Sequence, residues 1–481
     1  MNNHVNNNLR SSVSEVGLRR VLGFWDVFFA SLGGQSPFLS DLTYASATLA
    51  IAGLAGPVAI IIGTLIAFIN GFVVARLSKR VTEAGGYYKY ATKYLGGKST
   101  GFFIGWNYLF YAILYGAAYV IGASYLAQWI LGIPPWQISL PISLATMTIL
   151  AYLGIRISAR YAIFAGSLEM AALILISMAL LLIPHGILFN PFAYASSVPL
   201  STLMVAVVYA IAIPTGYGTI APLSGEVKRA RETISRAVEA VIITGGALAA
   251  LAIYSTAVAG LSYMNIHEFI RFLNEATGKG LSPVVIVLHH FLGVLLDPIV
   301  IFAMFNDGVL GALAYVLASS RTLYAMADDG QLPGLLSLVN SKGNPVISVL
   351  ISALALDAIA LVITYLLGPF NAFLLLGFLS MLANLIVHLS ANFALLRAAT
   401  MRIKAVLYGV DTIRWLDKVV SVAAALITIF TATESVLGIN IIELTPYFVV
   451  LAIAVVYLVI RALVIRGTFS GSRIHNYKMA R

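Results

Sequence analysis

The chain has 481 residues, of which 60% are hydrophobic and only 10% are charged, and its formal net charge is +10. Soluble domains carry roughly 25% charged residues, so a water-soluble surface cannot be built from this composition. Intrinsic disorder is excluded for the same reason, because it needs low hydrophobicity and high charge. The sequence contains no cysteine, which excludes disulfides, thiolate nucleophiles and cysteine metal sites. The composition therefore predicts a polytopic membrane protein.

The chain begins with a polar, asparagine-rich segment, residues 1–17, which lacks the apolar core of a signal peptide and predicts a disordered tail. A spanning helix needs about 20 mostly apolar residues, and twelve later stretches satisfy this length. They are residues 24–45, 48–76, 100–131, 137–155, 161–184, 201–225, 236–262, 297–326, 346–367, 371–397, 419–438 and 446–466. The shorter apolar stretch Leu281–Leu296 predicts an external helix that lies on the bundle, or alternatively a further half-span.

The positions of lysine and arginine predict the orientation of these spans. With the N-terminus placed in the cytoplasm, all but two of the 29 basic residues fall on the cytoplasmic side, the exceptions being Arg271 and Lys279. This asymmetry follows the positive-inside rule, so we expect a multi-pass protein of the plasma membrane with both termini in the cytoplasm. The positive net charge is then explained by topology, and no nucleic-acid partner is needed.

The first and sixth predicted spans each contain helix-breaking residues near their middle. These residues are Gly33, Gly34, Pro37, Pro214, Gly216 and Gly218. Non-helical backbone at this depth is tolerated only where it lines a cavity or is buried in protein, and breaks in matching positions are typical of an inverted five-plus-five repeat. Half-helix N-termini bind anions and freed carbonyls bind cations. The pair predicts a site for a substrate with both charges, such as an α-amino acid; two simple kinks are the alternative.

Four segments of the sequence carry further motifs. They are Gly34–Phe38, Thr82–Tyr90 with Gly101–Trp106 after it, Gly225–Arg236, and Ser320–Pro333. The last, SRTLYAMADDGQLP, is the most specific. Together they resemble the amino acid–polyamine–organocation superfamily of transporters. The resemblance implies an all-α membrane protein with about 12 transmembrane helices and a LeuT-like inverted 5+5 repeat, in which helices 1 and 6 are discontinuous. The implied units are the tail 1–17, a ten-helix transporter core 18–400, helices 11 and 12 within 401–466, and a cytoplasmic tail 467–481.

The resemblance implies that the substrate binds at the two breaks, with its carboxylate on main-chain amides of the first and its ammonium on carbonyls of the sixth. The implied binding residues are Gly33, Gly34, Gln35, Ser36, Ile213, Thr215, Gly216, Tyr217 and Gly218. Ser36 stands where the family has a second glycine, and the glutamate often found in the sixth-span pattern is absent. The substrate specificity of family members therefore cannot be assigned to this chain. The lack of a carboxylate in this region favours a neutral amino acid over arginine or a polyamine.

Coupling to an ion gradient requires a group inside the membrane that changes charge or binds an ion. Glu169 is the sole carboxylate in the fifth predicted span, where a charge is costly. In some relatives a lysine at this position stands in for a sodium ion, so a carboxylate there predicts proton transfer or sodium binding; a protonated acid bonded to a neighbouring helix is the alternative. Asp307 in the eighth span is a second candidate, or a helix cap. The nearby residues Val309–Leu313 offer no hydroxyl for sodium.

Four residues are candidates for gating. Tyr217 lies inside the sixth-span break, and Tyr209 lies two turns before it. Glu226 and Arg321 lie at cytoplasmic helix ends in the matching motifs and predict an ionic latch, the alternative being two solvated surface charges. The histidines show no metal-ligand spacing, so we expect neither a metal nor a cofactor.

These features predict a secondary active transporter, a proton-coupled symporter that moves amino acids by alternating access. Its expected partners are a neutral amino acid, H⁺ as the coupling ion (with Na⁺ as an alternative) and the lipid bilayer. Two alternatives stay open: a sodium-coupled or exchange-type amine or polyamine transporter, and a non-transporting amino-acid sensor on the same fold. An enzyme is not expected, because the sequence lacks clustered catalytic residues. It also lacks the continuous polar pore of a channel and a nucleotide-binding motif.

Overall fold

The structure is a computed structural model that describes residues 17–131, 136–182, 188–279, 281–293, 297–401, 414–436, 445–461 and 463. In this part of the chain the secondary structure is helical apart from one isolated bridge between Leu22 and Val227. The α-helices are α1 (Phe24–Gln35), α2 (Pro37–Ser40), α3 (Ser46–Ala52), α4 (Gly56–Ser78), α5 (Tyr87–Ala91), α6 (Lys98–Leu131), α7 (Trp136–Leu153), α8 (Ile155–Leu182), α9 (Pro191–Ala195), α10 (Leu200–Ala212), α11 (Ala230–Gly260), α12 (Ile266–Gly278), α13 (Pro283–Leu292), α14 (Asp297–Asp328), α15 (Val346–Leu367), α16 (Pro369–Thr400), α17 (Arg414–Val436) and α18 (Thr445–Arg461).

Ten helical segments among the described residues are long and apolar enough to cross a membrane. The first of them, Phe24–Ser78, covers two predicted spans, and Thr445–Arg461 is a shorter apolar helix. The predicted all-α membrane protein is therefore confirmed. The count of twelve spans, the inverted repeat and the division into units remain predictions, and the two predicted tails lie almost wholly outside the described residues.

The boundary between the first two spans differs from its prediction. The sequence pattern separates them at residues 46–47, whereas the helical path continues through a π-helical turn at Asp41–Ala45 into α3 and turns only at Gly53–Ala55. Gly53 has φ of 55° and ψ of −133°, a conformation with positive φ that glycine adopts without steric cost. Apolar length locates the spans, but the reversal point depends on this local backbone conformation.

Short helices cover the ends of the spans. α13 has ten residues, too few to cross a bilayer, and it falls within the stretch predicted to form an external helix. α12 is not among the predicted helices; it is strongly amphipathic, and its N-terminus is fixed by reciprocal hydrogen bonds between Asn265 and Glu268. We call the end of the bundle that carries the N-terminal segment, residues 17–23, the basic face, because the loops that contact this segment are rich in lysine and arginine.

Candidate functional site

The first span breaks at Ser36. α1 ends at Gln35, Ser36 is left-handed with φ 45° and ψ 69°, and Pro37 begins α2, as expected for a proline at the first position of a half-helix. The Ser36 hydroxyl lies 3.1 Å from the carbonyl oxygens of both Gly33 and Asp307. The single hydroxyl proton of Ser36 is shared between these two carbonyls and ties the end of α1 to α14; the Gly33 carbonyl also accepts the Ser36 N–H at 3.0 Å.

The sixth span changes from α-helix to 3₁₀-helix at its middle. α10 is followed by two 3₁₀ stretches, Ile213–Thr219 and Ala221–Glu226, and 3₁₀ runs of this length are uncommon. A Cβ atom on Gly216 would collide with backbone atoms of Gly34 and Gln35. The absence of a side chain at Gly216 thus allows the two breaks to contact each other directly, and the predicted binding residues of both spans come together.

The carbonyl groups freed by the sixth-span break are already hydrogen-bonded. Their donors come from the first and third spans. The donor–acceptor pairs are Gln35–Pro214, Ser31–Gly216 and Tyr108–Gly218, at 3.2, 3.1 and 3.1 Å. A carbonyl oxygen has two lone pairs, so an ammonium group that binds here either shares these carbonyls with the protein donors or replaces them.

Aromatic rings surround Gly218. We call this set the aromatic cluster; it consists of Tyr87, Tyr108, Tyr111, Tyr217 and His388. The rings of Tyr87 and Tyr108 stack with centroids 5.3 Å apart, and the Tyr217 ring lies 5.3 Å from the His388 ring. The Tyr87 hydroxyl and His388 Nδ1 are buried and have no hydrogen-bond partner among the described residues. Two polar atoms beside the break are thus available to a ligand.

The sequence contains a partial signal for this cluster. Tyr108, Tyr111, Tyr115 and Tyr119 recur at intervals of three and four residues, which places them on one face of a helix. That face contacts the breaks, since Tyr119 donates to the carbonyl of Gln35 at 3.1 Å. No comparable pattern surrounds His388, so its place in the cluster is visible only in the structure.

The two predicted coupling residues lie together where the first, fifth and eighth spans meet. Asn306 Nδ2 donates to Glu169 Oε1, and the Tyr161 hydroxyl donates to Asn306 Oδ1 at 2.6 Å. Asp307 Oδ2 accepts the backbone N–H of Leu39 at 2.7 Å. Both carboxyl groups are buried and lie close enough to interact. We call Glu169 and Asp307 the acid pair.

No described lysine or arginine forms an ion pair with either member of the acid pair. Two neighbouring buried carboxylates without a cation are strongly unfavourable in a membrane protein, so the pair needs a shared proton or a bound cation. Asp307 also caps the first turn of the outer half-helix, where the helix dipole favours negative charge. It is thus both a candidate acid and a cap, although the helix that it caps is α2 and not its own.

A third carboxyl group, Asp41, lies near Asp307. Asp41 is buried, and neither of its oxygens has a hydrogen-bond partner among the described residues. It lines a cavity of about 20 Å³ together with the hydroxyl-bearing residues Ser177, Ser255 and Thr256, a volume sufficient for a single water molecule. From its position in the sequence Asp41 is expected to be structural, because a carboxylate in the first turns of a half-helix ordinarily offsets the dipole.

The predicted gating residues lie at different depths. Arg321 binds Glu226 through two hydrogen bonds of 2.7 and 2.9 Å, and both side chains are buried, so this pair does not consist of solvated surface charges. Beside it, the backbone N–H groups of Val21 and Leu22 donate to the Glu226 carbonyl at 2.7 and 2.9 Å. The N-terminal segment is thus joined to the end of the sixth span, and we call this arrangement the closed basic face. Tyr217 is buried in the aromatic cluster, whereas Tyr209 on α10 is 42% exposed.

Curated proteins with similar sequences are amino acid transporters by name. The chain is 25% identical to the aromatic amino acid transport protein AroP of Escherichia coli K12 over 375 residues, which cover 73% of this chain and 75% of AroP. It is 35% identical over 135 residues to the general amino acid permease AGP2 of Saccharomyces cerevisiae, covering 28% of this chain and 22% of that protein. It is 31% identical over 163 residues to the amino-acid permease RocC of Bacillus subtilis, covering 33% of each chain.

Solved structures support the fold. Two crystal structures of a manganese transporter from Eremococcus coleocola align over 94% of this chain and 99% of the other, with TM-scores of 0.53 and 0.57 at 13% sequence identity. At that identity the likeness concerns the LeuT-like fold alone. The family model for amino acid permeases matches residues 26–472, which is nearly the whole chain. The chain therefore belongs to the amino acid permease family.

Proposed function

We propose that this chain is a secondary active transporter that moves a neutral amino acid across the plasma membrane by alternating access and couples this movement to protons. The observation that carries the proposal is the acid pair, two buried carboxyl groups without a basic partner beside the break of the first span. Such a pair holds one proton readily, because protonation of one carboxylate removes the repulsion between two neighbouring negative charges.

The acid pair is connected to both halves of the first span. The carbonyl of Asp307 accepts the Ser36 hydroxyl, and its carboxyl group accepts the Leu39 N–H. When the acid pair loses a proton, its negative charge is attracted more strongly to the positive end of the outer half-helix. When the acid pair gains a proton, this attraction becomes weaker. A change of charge thus acts directly on the hinge between the two half-helices, which is what coupling requires.

The substrate class follows from the groups around the sixth-span break. Its polar groups are backbone carbonyls, tyrosine hydroxyls and His388, and the adjoining rings form an aromatic wall. An uncharged side chain fits this environment, because a charged one would lack a partner. An aromatic side chain also gains ring contacts, in agreement with the name of the relative AroP.

The closed basic face defines one state of the transport cycle. We place this face in the cytoplasm, since it carries the basic loops. Access from the cytoplasm then requires separation of Glu226 from Arg321 and of the N-terminal segment from Val227. On the opposite face, Asp41 and its small cavity provide a route by which a proton reaches Asp307, and Tyr209 is a candidate outer gate.

The first test is uptake of radiolabelled amino acids by the purified chain in proteoliposomes. Neutral, aromatic and cationic substrates are each offered under an inward proton gradient, a sodium gradient, or no gradient. We expect a neutral substrate to accumulate under the proton gradient alone. Accumulation that requires sodium would favour the second candidate, a sodium-coupled transporter, for which Glu169, Asn306 and Asp307 supply oxygen ligands. Absence of both uptake and binding for every substrate would contradict amino acid transport.

The role of Glu169 is tested by the variant Glu169→Gln. The amide keeps a hydrogen bond with Asn306 but cannot exchange a proton, so proton-driven accumulation is expected to fall at least about tenfold, while exchange of internal for external substrate persists. Asp357→Asn is the matched control, because Asp357 is also a carboxyl inside a span but bonds to Thr148, away from the acid pair. Equal proton-driven uptake by Glu169→Gln and the wild type would refute the coupling role.

A further inference from the structure

A cavity of about 390 Å³ opens at the basic face, between the N-terminal segment, the junction of α7 with α8, and the loop that joins α14 to α15. Four exposed basic residues line it: Arg19, Arg156, Arg160 and Lys342. In the part of the chain that the structure describes, none of their charged groups forms a hydrogen bond or an ion pair. The cavity therefore concentrates positive charge without an internal counter-charge.

Glu226 is the one acidic residue among the described residues that line the cavity. Both of its carboxylate oxygens are already bound by Arg321, so it does not neutralise the four cations. Outside the described residues the sequence contains only three acidic residues, namely Glu15, Asp411 and Glu443. The remaining chain thus offers few acids to balance these charges. Like charges around one cavity repel each other, which favours occupation by an external anion.

We propose that this cavity binds a phosphate group, and that the phosphate belongs to an anionic lipid of the adjacent leaflet. The volume falls within the range of small-molecule sites, and the first turn of α8, which lines the cavity, adds the positive end of a long helix. Leu153 and Ile157 line the same cavity and are 44% and 41% exposed. Apolar surface beside clustered cations matches a lipid, whose acyl chains continue from its phosphate, better than a soluble anion.

A lipid in this cavity bridges the elements that close the basic face. Asn344 lines the cavity and accepts a hydrogen bond from Arg321 at 3.3 Å, and Gly343 packs against Arg19. One phosphate bound by Arg19, Arg156 and Lys342 thus holds together the N-terminal segment, α8 and the α14–α15 loop. The bound lipid stabilises the closed basic face; this consequence rests on the proposed function, whereas binding itself does not.

Binding is tested on the full chain in nanodiscs of phosphatidylcholine, with and without phosphatidylglycerol, by the shift in unfolding temperature. The test variant is the double substitution Arg156→Gln/Arg160→Gln, with Arg156→Lys/Arg160→Lys as the charge-keeping rescue. The control is Lys228→Gln/Arg236→Gln, which removes two exposed basic residues of the same face that do not line the cavity. A separate arm adds inorganic phosphate to phosphatidylcholine nanodiscs.

We expect phosphatidylglycerol to raise the unfolding temperature of the wild type, the control and the lysine rescue. In the glutamine variant we expect about 30-fold weaker apparent lipid binding, because each cation that contacts the lipid phosphate contributes roughly a factor of five and the control removes none of these cations. Equal lipid effects in the glutamine variant and the control would overturn the site, and so would the absence of a lipid effect in the wild type. A full shift produced by inorganic phosphate alone would overturn the lipid as its source. None of these readouts requires transport.

Discussion

Ser36 combines a strained backbone with a hydroxyl whose single proton is shared between two carbonyl oxygens. Its left-handed conformation costs about 1 kcal/mol more for serine than for glycine, whereas its hydroxyl, placed between the carbonyls of Gly33 and Asp307, recovers a similar amount. The family glycine and this serine are thus two solutions to the same backbone problem, and the serine adds a contact between the first break and α14.

This balance predicts different stabilities for two small substitutions. Ser36→Gly removes both the strain and the hydroxyl, so its free energy of unfolding is expected to stay within about 1 kcal/mol of the wild type. Ser36→Ala keeps the strain but loses the hydroxyl, and we expect it to be about 1 kcal/mol less stable than the glycine variant. Chemical denaturation in detergent micelles measures both. An alanine variant that equals or exceeds the glycine variant in stability would contradict this account.

Two glycines of the same 3₁₀ stretch predict separate effects on folding and on selectivity. A methyl group on Gly216 meets the backbone of the first-span break, which cannot move cheaply, so Gly216→Ala is expected to lose about 3 kcal/mol of stability.

A methyl group on Gly218 lies 3.3 Å from the Tyr111 hydroxyl and 3.5 Å from that of Tyr87. Gly218→Ala is therefore expected to fold normally but to discriminate against bulky substrates, as measured by competition for uptake. Unchanged selectivity would place the substrate elsewhere.

Among the elements, the contact between the 3₁₀ end of the sixth span and α14 holds the basic face closed. The Glu226–Arg321 ion pair is buried, and removal of one partner leaves an uncompensated charge that costs about 3–5 kcal/mol. The backbone bonds of Val21 and Leu22 to Glu226 connect the N-terminal segment to the same point. In the proposed transport cycle, these contacts have to separate together when this face opens.

Glu226→Gln is therefore expected to shift the protein towards a state open at the basic face. Because the chain has no cysteine, a single Ser224→Cys substitution provides a clean reporter at a buried position beside the ion pair. We expect a water-soluble maleimide to label this cysteine at least about tenfold faster in the Glu226→Gln background, since about 1.4 kcal/mol changes a population ratio tenfold. Glu232→Gln, at an exposed position of the same face, is the control. Equal labelling rates in all backgrounds would refute the latch.

The elements also show which features can be predicted from sequence. Apolar length determines where the spans lie, because the bilayer fixes the length of a helix, and Gly and Pro mark the breaks. The motifs singled out Glu226 and Arg321, although their separation along the chain hides the contact itself. His388 and Asp41 could not be selected, since their roles depend on burial and on side chains from other spans. A sequence pattern reports local periodicity, whereas these sites arise where distant spans meet.

At the scale of the whole molecule, the site lies at the junction of spans that are distant in sequence, and contacts outside that junction maintain the bundle. α17 lies outside the predicted core 18–400 and is joined to the end of α4 by a buried charge cluster. Asp417 binds Arg76 and Arg80, each at 2.6 Å, and its side chain is fully buried. A second polar contact joins Asn70, Asn392 and Thr428. These contacts attach α17 without reaching the breaks or the acid pair.

Asp417→Asn is accordingly expected to lower stability without a change in substrate affinity. The amide leaves two arginines without their counter-charge, which costs about 3–5 kcal/mol and lowers the unfolding temperature in detergent. The substrate dissociation constant of the folded protein should stay within about twofold of the wild-type value, because no group at the breaks is altered. Lys418→Gln, at the exposed neighbouring position, controls for a general effect of charge. A large loss of affinity in Asp417→Asn, beyond that of the control, would mean that α17 participates in the transport cycle and does not serve only as support for the core.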